Sequence, residues 1–297
     1  MRVAIIGGGS VGLLFAAYLQ KNRHEVTLYV RRKEQQTNLQ QSGLVVHSLK
    51  TEFTTHPKVR ILDTSPQESY DLVIVAVKSY DLELVLPILA NGFNHSRSLL
   101  LLQNGMLHTR WISDLTMFSV YLGSVEHGAL RESDTEVLHT GVGRTKVAPY
   151  LDGRSGLNWD KLSIDVFPFQ QEADWYNMLC KKLMINTVIN PLTALLRVKN
   201  GDLLEQSNWL QMMERLFQET CRVMDVSEIE TSWKELINVC ENTSSNKSSM
   251  LRDIENGHRT EIDAITGYVL MVAEQKGIPI PYNQFIYQAI KGMEDHN

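Results

Sequence analysis

Apolar residues in the first hundred positions fall into short continuous runs separated by amphipathic stretches. Val3-Ala4-Ile5-Ile6 is the first such run, the pattern of a strand buried on both faces. Further runs predict strands over 25–30, 44–46, 59–62, 72–77 and 98–102. Helical spacing predicts helices over 11–21, 81–89 and 106–112. This alternation implies a mostly parallel sheet with helices on both faces. Over 119–148 the pattern changes to short strands with Gly128, Gly141 and Gly143 at turns, which predicts an antiparallel extension of the sheet. Beyond residue 171 helical periodicity takes over, at 173–196, 209–224, 232–242, 261–276 and 283–293. The regimes meet near Pro168. The expected organisation is an α/β domain over 1–169 and an all-helical domain over 170–297.

Composition narrows the function classes. The chain of 297 residues carries 34 acidic and 29 basic side chains, a net charge of -5, with no long run of either sign. A nucleic-acid partner, which calls for a basic stripe, is therefore not expected. Three scattered cysteines suit neither a disulfide framework nor a zinc ribbon, and free thiols suit a reducing compartment. The first residues lack the features of a secretory signal, and no apolar run approaches the ~20 residues of a membrane helix. A cytoplasmic location follows as the expectation. The nine histidines are dispersed and no H-E-x-x-H occurs, so no metal site is expected.

Gly7-Gly8-Gly9-Ser10-Val11-Gly12 fits G-x-G-x-x-G between a predicted strand and a predicted helix. In that setting Gly7 permits the tight turn, Gly9 lets backbone approach a pyrophosphate, and Gly12 lets helix and strand pack closely. The N-terminus of the helix then offers free N–H groups to phosphates. The expected fold is thus a Rossmann-type dinucleotide-binding domain followed by the helical one. An NAD-binding unit usually places an acidic residue after the second strand; here Arg31 and Arg32 stand there, with Glu34 nearby. Guanidinium groups at that point match a 2′-phosphate, which favours NADPH. Lys78 and Asn104 follow two further predicted strands, at the end where open α/β sheets bind ligands.

In the second half, Lys182, Asn186 and Asn190 recur at four-residue spacing among Leu183, Met184, Ile185, Val188 and Ile189. Each step drifts by ~40°, so the three share an ~80° sector of one helix face. Asparagine is a poor helix former but both donates and accepts, which suits holding a hydroxyl or carbonyl. A solvent-facing stripe is the bland alternative. Pro191 should kink the helix or free a carbonyl. Ser249 reads equally as a helix N-cap and Glu261 as a carboxylate at a helix N-terminus.

Longer motifs carry a likeness that the glycines alone do not. The chain resembles the ketopantoate reductase (2-dehydropantoate 2-reductase) family over essentially its whole length. The matching segments begin with Ile6-Gly7-Gly8-Gly9-Ser10-Val11-Gly12, Val77-Lys78-Ser79-Tyr80-Asp81, Leu102-Gln103-Asn104-Gly105 and His139-Thr140-Gly141. They continue with the helix from Lys182 to Thr193, Asn200-Gly201, Ser248-Ser249-Met250-Leu251 and Thr260-Glu261-Ile262-Asp263.

The resemblance implies NADPH-dependent reduction of 2-dehydropantoate to (R)-pantoate, a step toward pantothenate and coenzyme A. It implies that Lys182 is the general acid, with Glu261 engaging the lysine or the substrate. Asn186 and Asn190 would hold substrate oxygens, Ser249 and Asn104 the carboxylate, and Asn200 would line the site. Gly7, Gly8, Gly9, Ser10, Val11, Gly12, Arg31, Lys78, Asn104 and Glu261 fall on the cofactor side. The family often has a Thr-Thr-His-Gly run where this chain has Ser124-Val125-Glu126-His127-Gly128, and no catalytic role is carried to His127. Reduction of another branched 2-keto acid, or a non-catalytic NADPH-binding regulator, are the alternatives. A homodimer is left open.

Overall fold

The computed structural model describes residues 1–48, 51–63, 68–151 and 156–296. The chain divides into two compact units: Met1–Gln103 with Thr109–Met178, and Asn104–His108 with Leu179–Asn297. The helical unit thus begins later than Pro168, and it recruits a short segment from the first half.

In the first unit the strands are β1 (Arg2–Ile6), β2 (Glu25–Val30), β3 (Leu44–Ser48), β4 (Glu52–Thr55), β5 (Lys58–Ile61), β6 (Leu72–Val75), β7 (Ser98–Leu101), β8 (Ser119–Val125), β9 (Gly128–Arg131), β10 (Glu136–Gly141), β11 (Thr145–Leu151) and β12 (Phe169–Gln171). Helices α1 (Ser10–Lys21), α2 (Lys33–Ser42) and α3 (Leu82–Gly92) connect the early strands. Eight strands form one sheet in the order β12-β11-β8-β7-β6-β1-β2-β5. It is parallel from β5 to β8; β11 then runs antiparallel to β8. Val3 to Ile6 are fully buried at its centre, as their unbroken apolar run requires.

The other strands depart from the expected single sheet. β3, β4, β9 and β10 form a separate four-stranded sheet in the order β4-β3-β10-β9. Here β10 pairs in parallel with β3, so a segment expected to extend the main sheet closes a second one. The residues expected to form a helix over 106–112 make only a 3₁₀ turn, Leu107–Arg110.

The second sheet explains α1. That helix contacts β1 and β2 on one side and β3, β4, β9 and β10 on the other. Gly12 to Leu19 are all buried, so the helix is apolar nearly all round. Its one polar tip, the Tyr18 hydroxyl, lies 2.8 Å from His139 Nδ1, and His139 Nε2 lies 3.2 Å from His127 Nδ1. Because the Gly143 N–H donates to His127 Nδ1, that atom accepts, His139 Nε2 donates, and Tyr18 donates to His139. His127 also stacks on Phe167 with ring centres 4.4 Å apart. It is a core residue of this layer.

The second unit is built on α4 (Trp175–Leu196), α5 (Ser207–Val223), α6 (Ile229–Asn242), α7 (Ser249–Glu255), α8 (Thr266–Lys276) and α9 (Pro281–Asp295). The first four residues of α4 group with the first unit. Pro191 lies inside α4 without ending it. Helix α5 packs on α8 and α9. Its buried Glu219 accepts hydrogen bonds from the backbone N–H of Tyr282 and Asn283 and from Asn283 Nδ2. A carboxylate there satisfies the orphan donors of α9 and complements its dipole.

Candidate active site

The turn between β1 and α1 has the geometry that its glycines predict. Gly7 has φ +120°, and a Cβ on Gly12 would lie 1.8 Å from the Gly7 carbonyl oxygen. Any side chain at Gly12 would drive helix and strand apart. A Cβ on Gly9, in contrast, would meet nothing within 4 Å. Open space on that side leaves the backbone free for close approach by a phosphate. Gly9 caps α1 without a side-chain hydrogen bond, and no acidic residue stands in the first turn of the helix. Its N–H groups are therefore left to a ligand, as a pyrophosphate site requires. These features fit a dinucleotide.

At the end of β2 the two arginines part. Arg31 is 84% exposed and lies 3.9 Å from Asp81, while Arg32 turns to Asp134 and Glu34. Lys78, half-buried, follows β6 just before the 3₁₀ turn Ser79–Asp81.

The remaining expected site residues belong to the helical unit. Lys182 and Asn186 are half-buried and Asn190 is buried, whereas Leu183, Met184, Val188 and Ile189 are core. The stripe is therefore no ordinary solvent face. Three residues past Asn190, the Thr193 hydroxyl donates to the Ile189 carbonyl and lies 2.7 Å from Ser248 Oγ. Ser248, not Ser249, is the N-cap of α7, accepting from the Leu251 N–H at 3.0 Å. Ser249 consequently stands exposed on the first turn, with capping done by its neighbour. The Thr193–Ser248 bond holds that turn against α4. The sequence carries no sign of this link beyond two hydroxyl residues.

Glu261 is buried and precedes α8, which starts only at Thr266, so its reading as a helix-terminal carboxylate fails. Asn104 Nδ2 donates to Glu261 Oε2 at 2.8 Å. The contact depends on Gly105: its φ is +75°, and a Cβ there would lie 1.9 Å from the Ala264 carbonyl oxygen. The Met106 N–H donates to that same oxygen. Asn104-Gly105 is thus a docking point for the Glu261 loop and not merely a turn. In the same segment His108 is fully buried, and burial pushes its imidazole down to about 4 against the opposing pull of Glu261. Asn200 is buried as well; its Nδ2 donates to Thr243 Oγ1 at 2.8 Å, while no group among the described residues bonds its Oδ1.

One group of potential metal ligands occurs among the described residues: His47, Glu132 and Glu136, on and beside the four-stranded sheet. Glu132 is exposed, and His47 already pairs with Glu52 at 3.0 Å.

Two family models match the chain. Ketopantoate reductase PanE/ApbA covers residues 3–152, and the ketopantoate reductase PanE/ApbA C-terminal model covers 174–294. A 2-dehydropantoate 2-reductase of Bacillus subtilis is 41% identical, over 99% of this chain and 98% of that one. The chain belongs to the ketopantoate reductase family.

Among solved structures, the probable 2-dehydropantoate 2-reductase of Bacillus subtilis superimposes with a TM-score of 0.86 at 40% identity, over 99% of this chain and 100% of that one. A dimeric ketopantoate reductase from Staphylococcus aureus shares the fold, with a TM-score of 0.82 at 22% identity, covering 100% of this chain and 99% of that one. The chain is an NADPH-dependent oxidoreductase acting on the small molecule 2-dehydropantoate, in the reaction that serves pantothenate biosynthesis. None of its helices, among the described residues, is long and apolar enough to cross a membrane.

Proposed function

We propose that Lys182 is the general acid of ketopantoate reduction, and that Asn186 and Asn190 orient the substrate beside it. The observation that carries this reading is the half-buried polar stripe on α4, set among core residues of the same helix. NADPH, when bound, supplies hydride to the carbonyl carbon. A protonated ammonium on Lys182 stabilises the negative charge growing on the carbonyl oxygen and then gives that oxygen its proton. Asn186 and Asn190, one and two turns along, offer amide donors and acceptors to the substrate hydroxyl and carbonyl. Ser249 and Asn104 take the carboxylate, which fixes the face of the keto group presented for reduction. Glu261 holds Asn104 and engages the lysine or substrate, and Asn200 lines the site. Gly7 to Gly12 cradle the pyrophosphate of the cofactor. Arg31, Lys78, Asn104 and Glu261 serve its other contacts.

The test is chemical rescue. Turnover of Lys182→Ala should recover in part with added small primary ammonium ions, with a pH dependence that tracks the added amine. Absence of rescue together with near-wild-type turnover in that variant refutes the assignment.

The same reading extends to assembly and location. The Staphylococcus aureus relative is dimeric, and this chain exposes Tyr282 and Phe285 on α9, which supports a homodimer with α9 in its interface. A second species of twice the monomer mass in light scattering, lost in Phe285→Glu, checks it. Cys180, Cys221 and Cys240 are all free and buried, which supports a cytoplasmic location. Fractionation of the expressing cells tests that placement.

A further inference from the structure

The turn between β9 and β10 reaches the glycine loop and brings a second arginine there. Arg131, the last residue of β9, directs NH1 to the Gly8 carbonyl oxygen at 3.4 Å. Its NH2 donates to Asp134 Oδ1 at 2.7 Å and its Nε to the Ser133 carbonyl at 3.0 Å. Arg32, two residues past the end of β2, pairs with the same Asp134 Oδ1. Gln35 closes the arrangement, since its Nε2 donates to Gly8 O at 2.8 Å and lies 3.3 Å from Asp134 O. Asn38 Nδ2 approaches the other carboxylate oxygen at 3.4 Å. Two guanidiniums that would otherwise repel are thus fixed side by side through one carboxylate.

The position matters more than the count. In a dinucleotide-binding βαβ unit, the adenosine ribose lies between the glycine loop and the first residues after the second strand. A carboxylate at that place ordinarily accepts from the 2′-hydroxyl of NAD and repels a 2′-phosphate. Here the carboxylate comes from another sheet, is only 13% exposed, and has its Oδ1 committed to two arginines. A guanidinium has five N–H donors, and Arg131 uses three of them in these contacts. The remaining two can take phosphate oxygens, together with the donors of Arg32 beyond those that pair with Asp134 and the exposed Glu34. Arg31, 84% exposed and turned toward Asp81, does not share the cluster.

We propose that Arg131 is a cofactor-specificity residue: held beside Arg32 by Asp134, it adds a guanidinium from another strand to the 2′-phosphate site expected at Arg31 and Arg32. The inference rests on NADPH being the cofactor. It places a specificity determinant about a hundred residues beyond the βαβ fingerprint, where a reading of the second strand alone does not look.

The test is direct binding, by calorimetry, of NADPH, NADH, 2′,5′-ADP and ADP to the full-length protein. Arg131→Gln should weaken NADPH and 2′,5′-ADP by about tenfold or more, the size of a lost charged hydrogen bond, and leave NADH and ADP within about twofold. Arg131→Lys, which keeps charge without the fork, should fall between. Equal weakening of all four ligands would mean that Arg131 only supports the Gly8 turn, and overturns the proposal. Unchanged discrimination in Arg131→Gln overturns it too. A wild-type protein with no preference for NADPH over NADH is a different result, and it removes the cofactor assignment itself.

Discussion

Asn104 and Glu261 stand 157 positions apart in the chain, and a 2.8 Å hydrogen bond from the asparagine amide to the carboxylate joins them. The bond orients both groups. With Nδ2 donating to Glu261, the Asn104 amide is locked in one orientation. A substrate carboxylate near Glu261 would meet like charge, so a donor beside Glu261 has an electrostatic purpose.

Asn104→Asp tests that purpose with little change of shape. It sets two carboxylates within hydrogen-bond distance and removes the amide donor. The expected result is a fall of roughly 10²-fold in kcat/KM for ketopantoate, expressed mainly in KM, since losing a hydrogen bond to a charged group costs about 1.5–3 kcal/mol. NADPH affinity should change less. A KM within twofold of wild type would show that Asn104 does not hold the carboxylate.

Lys182→Ala should act on the other parameter. If the ammonium donates the proton, its removal costs about 10²–10⁴ in kcat, the usual range for positioned acid catalysis. NADPH affinity measured by fluorescence should stay near the wild-type value, because the glycine loop proposed to hold the cofactor's phosphates belongs to the other compact unit. Loss of NADPH binding in parallel with kcat would instead give Lys182 a cofactor role.

These residues were unequally legible in the sequence. The Gly7–Gly12 turn was readable because each glycine answers a local steric demand, and the Lys182–Asn186–Asn190 face because helical spacing is local too. The second sheet packed on α1 was not. Strand β10 pairs with β3 some ninety residues earlier, and short alternating runs carry no mark of which sheet they join. Ser249 and Ser248 differ by one position, and it is Ser248 that accepts from the Leu251 N–H and so caps the helix. Asn104-Gly105 offered a signal that pointed elsewhere. An Asn-Gly pair suggests a turn, yet here the glycine is needed because another loop's backbone lies against it.

That last requirement makes Gly105→Ala informative. A left-handed φ of +75° costs an alanine about 1–2 kcal/mol by itself. The added methyl would also lie 1.9 Å from the Ala264 oxygen, so the backbone must shift. The expected outcome is a lower melting temperature together with a loss in kcat/KM larger than global unfolding explains, because Asn104 moves off Glu261. A variant that melts early but keeps full activity below its transition would separate the loop contact from the chemistry.

The buried histidines predict an acid limb of stability. Burial pushes His108 down to about 4, with Glu261 opposing. Burial, reinforced by the neighbouring His139, pushes His127 down to about 3. In the unfolded chain both take a proton near their ordinary value of about 6.5. Below that value the unfolded state binds more protons than the folded one, so stability must rise with pH between about 4 and 6.5. The contribution is fully present above that window and is lost as the pH falls through it. Each histidine adds a slope of up to about 1.4 kcal/mol per pH unit there. Urea unfolding at a series of pH values should show this limb, and His108→Phe should flatten it by the share of one group. Among the described residues both ring nitrogens of His108 lack a hydrogen-bond partner, so an apolar ring of similar size forfeits none. An acid limb of unchanged steepness in that variant would mean that His108 is not held neutral by its surroundings, and would assign the limb to other groups.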